Sequence, residues 1–334
     1  MPKLTRVRPF HDPGFRRLRA GSGFRYLDAK GRTPGQRHLE RIRALVIPPA
    51  WQDVWISVRD DGHIQAVGTD DAGRRQYIYH PAWTAGRDRG KFARALALAE
   101  ALPRARARVT TSIRRDDLDR ERVLAVAFRL LDNAAPRIGS ERYLAQNGSR
   151  GLTTLHRRDA SVEGTVVTLT FPGKSGKLQY LEIDDADLAA AIELLAPGRP
   201  RSPLLAFNRA GRRVALTPAE VNAYVRSLTG GKFTAKDFRT LRGTILAAEA
   251  LAHIGTVDTK TDLKRAEVLA VRATAEALGN TPAVARGSYI DPRVFVRYRE
   301  GNLLDLSKTP ESAIRSLLRP VRSDAEPEDV AEVA

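Results

Sequence analysis

Two patterns of apolar and polar residues divide the chain near residue 85. Before that point, short runs rich in β-branched and aromatic residues alternate with turn-forming residues, as strands do. These runs lie at 54–58, 63–67 and 76–80. Asp60-Asp61-Gly62 predicts a hairpin turn between the first two, and a helix is expected at about 34–45, before Pro48-Pro49. These elements predict a small, mainly β N-terminal domain.

Beyond residue 90, apolar residues recur at the three- and four-residue spacing of amphipathic helices. Helices are expected at about 91–102, 116–133, 184–196, 217–228, 234–253, 258–278 and 292–299. Strands are expected at 153–155, 165–169 and 178–183. From residue 184 onward the pattern is helical throughout. The fold class is therefore α+β, in which a larger, mostly helical domain carries a small antiparallel sheet.

Changes in composition predict the domain limits. They are 1–85 for the N-terminal domain, 86–90 for a linker, 91–322 for the second domain and 323–334 for a disordered tail. Glycines and charges cluster in the linker, and the tail is acidic after an otherwise basic chain. Residues 1 to about 20 are basic and are expected to be irregular. The stretch Arg104-Ala-Arg106-Ala-Arg108 is interpreted as a solvated loop.

The charge of the chain indicates a polyanionic partner. Its 56 lysine and arginine residues outnumber its 39 aspartate and glutamate residues, which gives a formal net charge of +17. An excess of this size is expected of a protein that binds nucleic acid. An arginine-rich composition can equally reflect nucleotide bias in the gene, so the residues that carry chemistry must be identified separately.

The composition also excludes several kinds of site. The absence of cysteine excludes disulfides, thiolate chemistry and cysteine-ligated zinc. The six histidines lack the i, i+4 spacing of a zinc-binding helix, and adjacent carboxylates such as Asp70-Asp71 diverge on any regular element. We therefore expect no metal and no cofactor. The chain has no apolar run of membrane-spanning length and no signal-peptide core, so a soluble, intracellular protein is expected.

One tyrosine lies between two helix signals. Thr281-Pro282 is typical of a helix start, and Asp291-Pro292 predicts the start of the next helix. Tyr289 therefore lies at a junction, from which its phenol can face a ligand. The alternative is a packed tyrosine whose hydroxyl bonds a backbone carbonyl.

Four cations upstream favour the first interpretation. Lys236 and Arg239 are three residues apart and share one helical face. Arg137 precedes Ile138-Gly139, and Lys174 lies in the glycine-rich hairpin between the last two expected strands. Four cations and one tyrosine together indicate phosphate chemistry.

At these residues the chain resembles the small, poxvirus-type DNA topoisomerases of type IB, and a bacterial source is expected. Five segments match in order along residues 20 to 300. They are Gly73-Arg-Arg-Gln-Tyr-Ile-Tyr79, Arg137-Ile-Gly-Ser-Glu-Arg-Tyr143, Gly173-Lys174, Lys236-Asp-Phe-Arg239-Thr and Asn280-Thr-Pro-Ala-Val-Ala-Arg-Gly-Ser-Tyr289. The resemblance implies the helical catalytic domain that these enzymes share with tyrosine recombinases.

The resemblance implies catalytic roles for five residues. Tyr289 is the nucleophile, Arg137 and Arg239 hold the non-bridging phosphate oxygens, and Lys174 is the general acid for the leaving 5′-oxygen. Arginine suits the phosphate because its planar fork grips two oxygens and keeps its charge. Asn280 stands where the poxvirus enzymes carry a histidine. Asparagine can donate a hydrogen bond there, but it cannot exchange a proton near neutral pH.

The resemblance also implies DNA contacts. The residues concerned are Gln76, Tyr77, Tyr79, Arg142, Tyr143 and Lys236. In a strand, Tyr77 and Tyr79 share one face, so an aromatic core face is the alternative for this pair. Ser140 stands where the poxvirus enzymes carry a lysine that contacts DNA, so a different preferred cleavage sequence is expected.

A type IB enzyme relaxes positive and negative supercoils through a 3′-phosphotyrosyl intermediate, without ATP or metal. The resemblance therefore implies double-stranded DNA as partner, a monomer, no membrane association, and a cytoplasmic, nucleoid-associated location. Two alternatives stay open. A tyrosine recombinase shares the nucleophile and both arginines, but it usually carries His-x-x-Arg where this chain has Lys236-x-x-Arg239. A non-catalytic DNA-binding protein would need only the basic composition.

Overall fold

The computed structural model describes residues 3–319, with the exception of the Ser175 side chain. The chain divides into two compact units, Met1–Gly90 and Lys91–Ala334. The acidic tail expected at 323–334 lies outside the described residues. Within residues 3–319, no helix is both long enough and apolar enough to cross a membrane.

The first unit is built on one antiparallel sheet. Within residues 3–90 its strands are β1 (Gly14–Ala20), β2 (Gly23–Leu27), β3 (Gln52–Ser57), β4 (Ile64–Thr69) and β5 (Arg75–Tyr79), in the order β2-β1-β3-β4-β5. Helix α1 (Gln36–Ala44) places Ile42 against Phe15 and Ile56, while Trp55 and Val67 belong to a second cluster. The predicted mainly β domain is therefore confirmed.

Strand β1 corrects the expectation that residues 1 to about 20 are irregular. Its three arginines hide the alternation that predicts a strand. Arg17 is nevertheless buried, because its guanidinium donates hydrogen bonds to the carbonyls of Ile47, Pro48 and Trp51. Burial lowers the pKa of Arg17. A charged residue here occupies a core-facing position, which the charge pattern could not indicate.

The helices of the rest of the described chain match the predicted mostly helical domain. They are α2 (Pro81–Ile113), α3 (Arg120–Ala134), α4 (Glu141–Asn147), α5 (Ala186–Leu195), α6 (Pro218–Thr229), α7 (Ala235–Ile254), α8 (Lys260–Ala277), α9 (Pro282–Ser288), α10 (Arg293–Arg299) and α11 (Pro310–Leu318). Phe128 of α3 meets Phe238 of α7 edge to face in the core, with ring centroids 5.4 Å apart. The α+β class is confirmed.

Helix α2 is longer than its sequence pattern indicates. Residues 86–90, interpreted as a linker, are helical, and so is the stretch 104–108, interpreted as a solvated loop. Arginine is a good helix former. Ala105 and Val109, four residues apart, face the core, while Arg106 forms ion pairs with Asp132 and Glu311. These ion pairs join residues that are distant in sequence, so the local pattern cannot indicate them, and they help to hold this stretch in the helix.

The small sheet of the second unit has the order β6-β7-β8, with β6 (Ala160–Glu163), β7 (Val166–Pro172) and β8 (Leu178–Asp184). Antiparallel pairing of β7 with β8 confirms the expected hairpin, whose loop contains a short 3₁₀ turn at Lys174–Gly176. The strand expected at 153–155 is wrong, because Leu152–Thr154 forms another 3₁₀ turn. This turn is buried and bonded to the Arg137–Gly139 backbone, for example from Leu152 N to Arg137 O at 2.8 Å.

A second hairpin corrects the expectation of helix throughout from residue 184. Strands β9 (Ala206–Arg209) and β10 (Arg212–Ala215) pair antiparallel. Ala210 and Gly211 between them have φ of 48° and 75°. A two-residue hairpin turn of this kind favours Asn or Gly first. Because Ala210 stands where Asn or Gly is usual, Gly211 alone indicates the turn in the sequence.

Candidate active site

Contacts with α7 hold Tyr289 at the end of α9. The helix begins after Thr281, whose Oγ1 accepts a hydrogen bond from the Val284 N–H. It ends at Tyr289, as the two helix signals predict. A Cβ atom on Gly243 of α7 would lie only 2.9 Å from the Tyr289 Cβ and carbonyl oxygen. Thr244 Oγ1 lies 3.2 Å from that carbonyl, which fixes the backbone of the tyrosine on α7.

Arg239 lies beneath the phenol and is only 5% exposed. Its Nη1 and Nη2 donate to the carbonyls of Ala135 at 2.6 Å and Leu278 at 2.7 Å. Its guanidinium carbon lies 5.1 Å from the centroid of the Tyr289 ring. Burial lowers the pKa of Arg239, although the adjacent Tyr289 opposes this shift. The buried Nε bonds no atom of residues 3–319 and is a free donor beside the tyrosine.

Arg137 and Asn280 form a second pair of donors. Arg137 Nη2 donates to the Gly279 carbonyl at 3.1 Å and to Asn280 Oδ1. Burial, followed by the positive charge of Arg239, lowers the pKa of Arg137. Because Asn280 Oδ1 accepts from Arg137, its Nδ2 is left as a donor, and this buried atom has no hydrogen-bond partner in the described chain. The pair thus presents a neutral donor next to a cation.

Lys174 is exposed in the loop between β7 and β8. Among the described residues, no hydrogen bond joins it to Arg137, Arg239 or Asn280. The structure therefore brings four of the five predicted catalytic residues together and leaves Lys174 on the adjacent hairpin. Gly173 and Arg239 line the same small cavity, which places the base of that hairpin beside the cluster.

The predicted DNA-contacting residues of the second unit are exposed. Arg142 and Tyr143 lie on α4, and 58% of the Tyr143 surface is accessible. Lys236 lies in the first turn of α7, one turn from the buried Arg239. An exposed aromatic residue next to an arginine, as in Arg142-Tyr143, is a suitable contact for a nucleic acid. The DNA-contact role of these residues remains a prediction.

Strand β5 carries the candidate residues of the first unit. Tyr77 and Tyr79 share one face as predicted, with ring centroids 5.9 Å apart and planes inclined by 16°. Tyr79 packs against the Trp55 cluster, whereas Tyr77 is 42% exposed. The aromatic-core alternative thus describes Tyr79 better than Tyr77. Gln76 on the opposite face donates through Nε2 to Asp70 Oδ2 at 2.8 Å.

Several residues that support the site carry no predicted role. Thr244 and Gly243 set the position of Tyr289, and Gln179 of β8 is buried beside Gly279. A glycine inside a helix is a sequence signal for close packing, so Gly243 could have been found. Nothing local distinguishes Gln179 or Thr244, because their contacts lie far away in the sequence.

Comparison with known proteins identifies the family. A family model described as the catalytic core of eukaryotic DNA topoisomerase I matches residues 80–300, more than half of the chain. A second model, the N-terminal domain of bacterial DNA topoisomerase IB, matches residues 23–70. The chain belongs to the type IB DNA topoisomerases. The bacterial N-terminal model agrees with the expected bacterial source.

Two viral type IB topoisomerases illustrate the relationship. DNA topoisomerase 1B of Acanthamoeba polyphaga mimivirus is 27% identical over 294 residues, which cover 86% of this chain and 88% of that protein. DNA topoisomerase 1B of Vaccinia virus (strain Copenhagen) is 23% identical over 248 residues, covering 73% of this chain and 75% of that protein. The resemblance inferred from the five segments is confirmed, and the chain is an isomerase that acts on DNA.

Proposed function

We propose that this type IB topoisomerase cleaves one DNA strand through Tyr289. The phenolic oxygen attacks the phosphorus, the bond from phosphorus to the 5′-oxygen breaks, and a 3′-phosphotyrosyl bond forms. The phenol loses its proton and the leaving 5′-oxygen takes one up. The observation that carries this proposal is the position of the Tyr289 ring over the buried guanidinium of Arg239. The guanidinium carbon lies 5.1 Å from the centroid of the ring.

The two arginines stabilise the charge that develops on the non-bridging oxygens. Donors act most strongly in a transition state when they are held in advance and shielded from water. Arg239 is held by two carbonyls, and Arg137 by Gly279 and Asn280. The Nε of Arg239 and the Nδ2 of Asn280 remain as donors without partners in the described chain. A phosphate supplies acceptors for both.

Asn280 takes the place of the poxvirus histidine as a neutral donor. Its amide cannot exchange a proton near neutral pH, so proton transfer at this position is not part of the proposal. Lys174 is the general acid for the 5′-oxygen, because it is exposed in a loop whose base lies beside the cluster. An ammonium group can donate the proton that the leaving oxygen needs.

The phosphotyrosyl bond retains the energy of the phosphodiester, so resealing by the 5′-hydroxyl needs neither ATP nor a metal ion. Rotation of the free end before resealing releases supercoils of either sign. We propose double-stranded DNA as the partner, a monomer as the active state and the nucleoid as the location. The domain at 1–85 would clamp the duplex and the domain at 91–322 would carry the chemistry.

Tyr289→Phe tests the nucleophile. The variant should bind duplex DNA and keep its fold, yet form no covalent adduct and relax no supercoiled plasmid in the absence of ATP and magnesium. Tyr180→Phe, at an exposed tyrosine of β8, is the matched control and should relax plasmid normally. Relaxation by Tyr289→Phe would refute the assignment. Wild-type protein that binds DNA without relaxing it would favour the non-catalytic alternative, and strand exchange between paired sites would favour a recombinase.

A further inference from the structure

We propose that Gln179 is a positioning residue that holds the Lys174 loop in place against the Gly279-Asn280 segment. The inference rests on the proposed role of Lys174 as general acid. Gln179 lies on β8 opposite Phe171 of β7, and its side chain is only 9% exposed. It therefore belongs to the hairpin that carries the lysine while its side chain is directed inward.

The side chain of Gln179 helps to close this loop. Its Nε2 lies 3.3 Å from the carbonyl oxygen of Lys177, which also accepts from the Gly173 N–H at 2.8 Å. Gly173 immediately precedes Lys174. The amide of Gln179 and the first residue of the loop therefore meet at one carbonyl, and a change in the rotamer of Gln179 reaches the backbone next to the lysine.

Two glycines leave the space that the Gln179 side chain fills. A Cβ atom on Gly173 would lie 2.7 Å from Gln179 Cγ, and one on Gly279 would lie 2.0 Å from Gln179 Oε1. Any larger residue at either position would displace the glutamine. Gly279 also has a φ of +59°, in the left-handed region that favours glycine. Gln179 is thus packed between the base of the lysine loop and the residue before Asn280.

This packing joins the two halves of the proposed machinery. The Gly279 carbonyl accepts from Arg137, and Gln179 lines the small cavity beside Arg137 and Arg239. On the opposite side of Gln179, its neighbour Gly173 is the residue that directly precedes Lys174. The distance from the general acid to the phosphate-binding cations thus depends on the volume of the glutamine. A shortened side chain would let the loop move relative to the arginines.

The first test is single-turnover cleavage of two duplexes, one with the natural 5′-bridging oxygen and one with sulfur in its place. Sulfur leaves without protonation. Gln179→Ala should slow cleavage of the oxygen substrate by about tenfold to a hundredfold, the effect of a misplacement near 1 Å, and sulfur should largely restore the rate. Gln179→Met, which keeps the volume, should stay within about threefold of wild type.

Each outcome of this test has a defined meaning. Equal defects of Gln179→Ala on both substrates would overturn the proposal, because the loop and its lysine would not be the affected part. The Gln36→Ala variant, at an exposed glutamine of α1 that bonds Glu40, is the matched control and should cleave normally. If wild-type protein cleaves neither substrate, the proposed function fails instead. If Lys174→Ala is not rescued by sulfur, Lys174 is not the general acid, and the positioning role of Gln179 fails while the role of Tyr289 stands.

The second test uses the glycine that touches Gln179. Gly173→Ala should slow cleavage of the oxygen substrate in the wild-type background, because its new Cβ displaces the glutamine. In the Gln179→Ala background the overlapping Cγ is gone, so Gly173→Ala should cause no further slowing. Residues in contact show such non-additive effects, whereas independent sites do not. Slowing by the same factor in both backgrounds would overturn the proposal even if both variants are less stable.

Discussion

Replacement of Arg239 separates the structural role of this residue from its chemical role. In Arg239→Ala the carbonyls of Ala135 and Leu278 each lose a donor in a buried environment. An unsatisfied buried polar group costs about 1–3 kcal/mol. The cation itself is desolvated because the side chain is buried, which also lowers its pKa, and its removal offsets part of that cost. We therefore expect a loss of about 1–3 kcal/mol in the free energy of unfolding, in the range common for single substitutions.

The chemical effect of Arg239→Ala should be larger. Removal of one preorganised donor to a transition state slows a reaction by about a hundredfold to a thousandfold, or about 3–4 kcal/mol of activation free energy. Arg239→Lys can refill one carbonyl contact and should recover most of the stability. It lacks the planar fork, however, and should recover little of the rate. Stability and rate should thus separate in the lysine variant.

Two measurements check this separation. Urea unfolding gives the stability of each variant, and rapid-quench formation of the covalent adduct on a short duplex gives the cleavage rate at saturating protein. Arg242→Ala, three residues further along α7, is a control for loss of positive charge on the same helix. An Arg239→Ala variant that folds and cleaves within about threefold of wild type would refute the assigned role, since that is far below the loss expected of a transition-state donor.

The other predictions concern single side chains. Lys174→Ala should cleave the oxygen substrate slowly and regain its rate on the sulfur substrate, whereas Arg137→Ala should be slow on both. Equal defects of Lys174→Ala on the two substrates would leave Lys174 an electrostatic role only. Asn280→Ala should slow cleavage more than Asn280→His, because histidine keeps a hydrogen-bond donor. Unchanged cleavage by the alanine variant would mean that Asn280 only ends a helix and takes no part in the chemistry. Gln76→Ala should alter the distribution of cleavage sites along a long duplex at fixed salt if Gln76 reads a base edge; identical patterns would make it a scaffold residue.

The sequence predicts the fold best where the local pattern and the tertiary environment agree. Helices α5 and α7 begin and end within about two residues of their predicted limits, because capping residues and apolar stripes coincide there. The pattern misleads where an arginine bonds groups that are distant in sequence. Arg17 conceals strand β1, and Arg106 makes part of a long helix resemble a loop. In both cases a partner distant in sequence satisfies the charge.

The residue types of the candidate active site were predictable from the sequence, but the residues that hold them in place were not. Tyr289, Arg137, Arg239 and Asn280 carry recognisable chemistry at recognisable spacings, and the structure brings them together. The packing of Gln179 depends on glycines that precede and follow it by six and by one hundred residues. Such contacts arise only when β8, α8 and α9 have assembled, so no local sequence pattern can contain them.

The neutral residue at position 280 is consistent with the electrostatics around it. Arg137 and Arg239 lie close enough that the charge of one lowers the pKa of the other. A protonated histidine would place a third cation beside this pair and could not accept a hydrogen bond from Arg137. Asparagine accepts through Oδ1 and, by the same bond, directs Nδ2 away from Arg137 as a donor without a partner in the described chain. One side chain thus orients an arginine and presents a hydrogen bond, and it does so without adding positive charge to a site that already concentrates it.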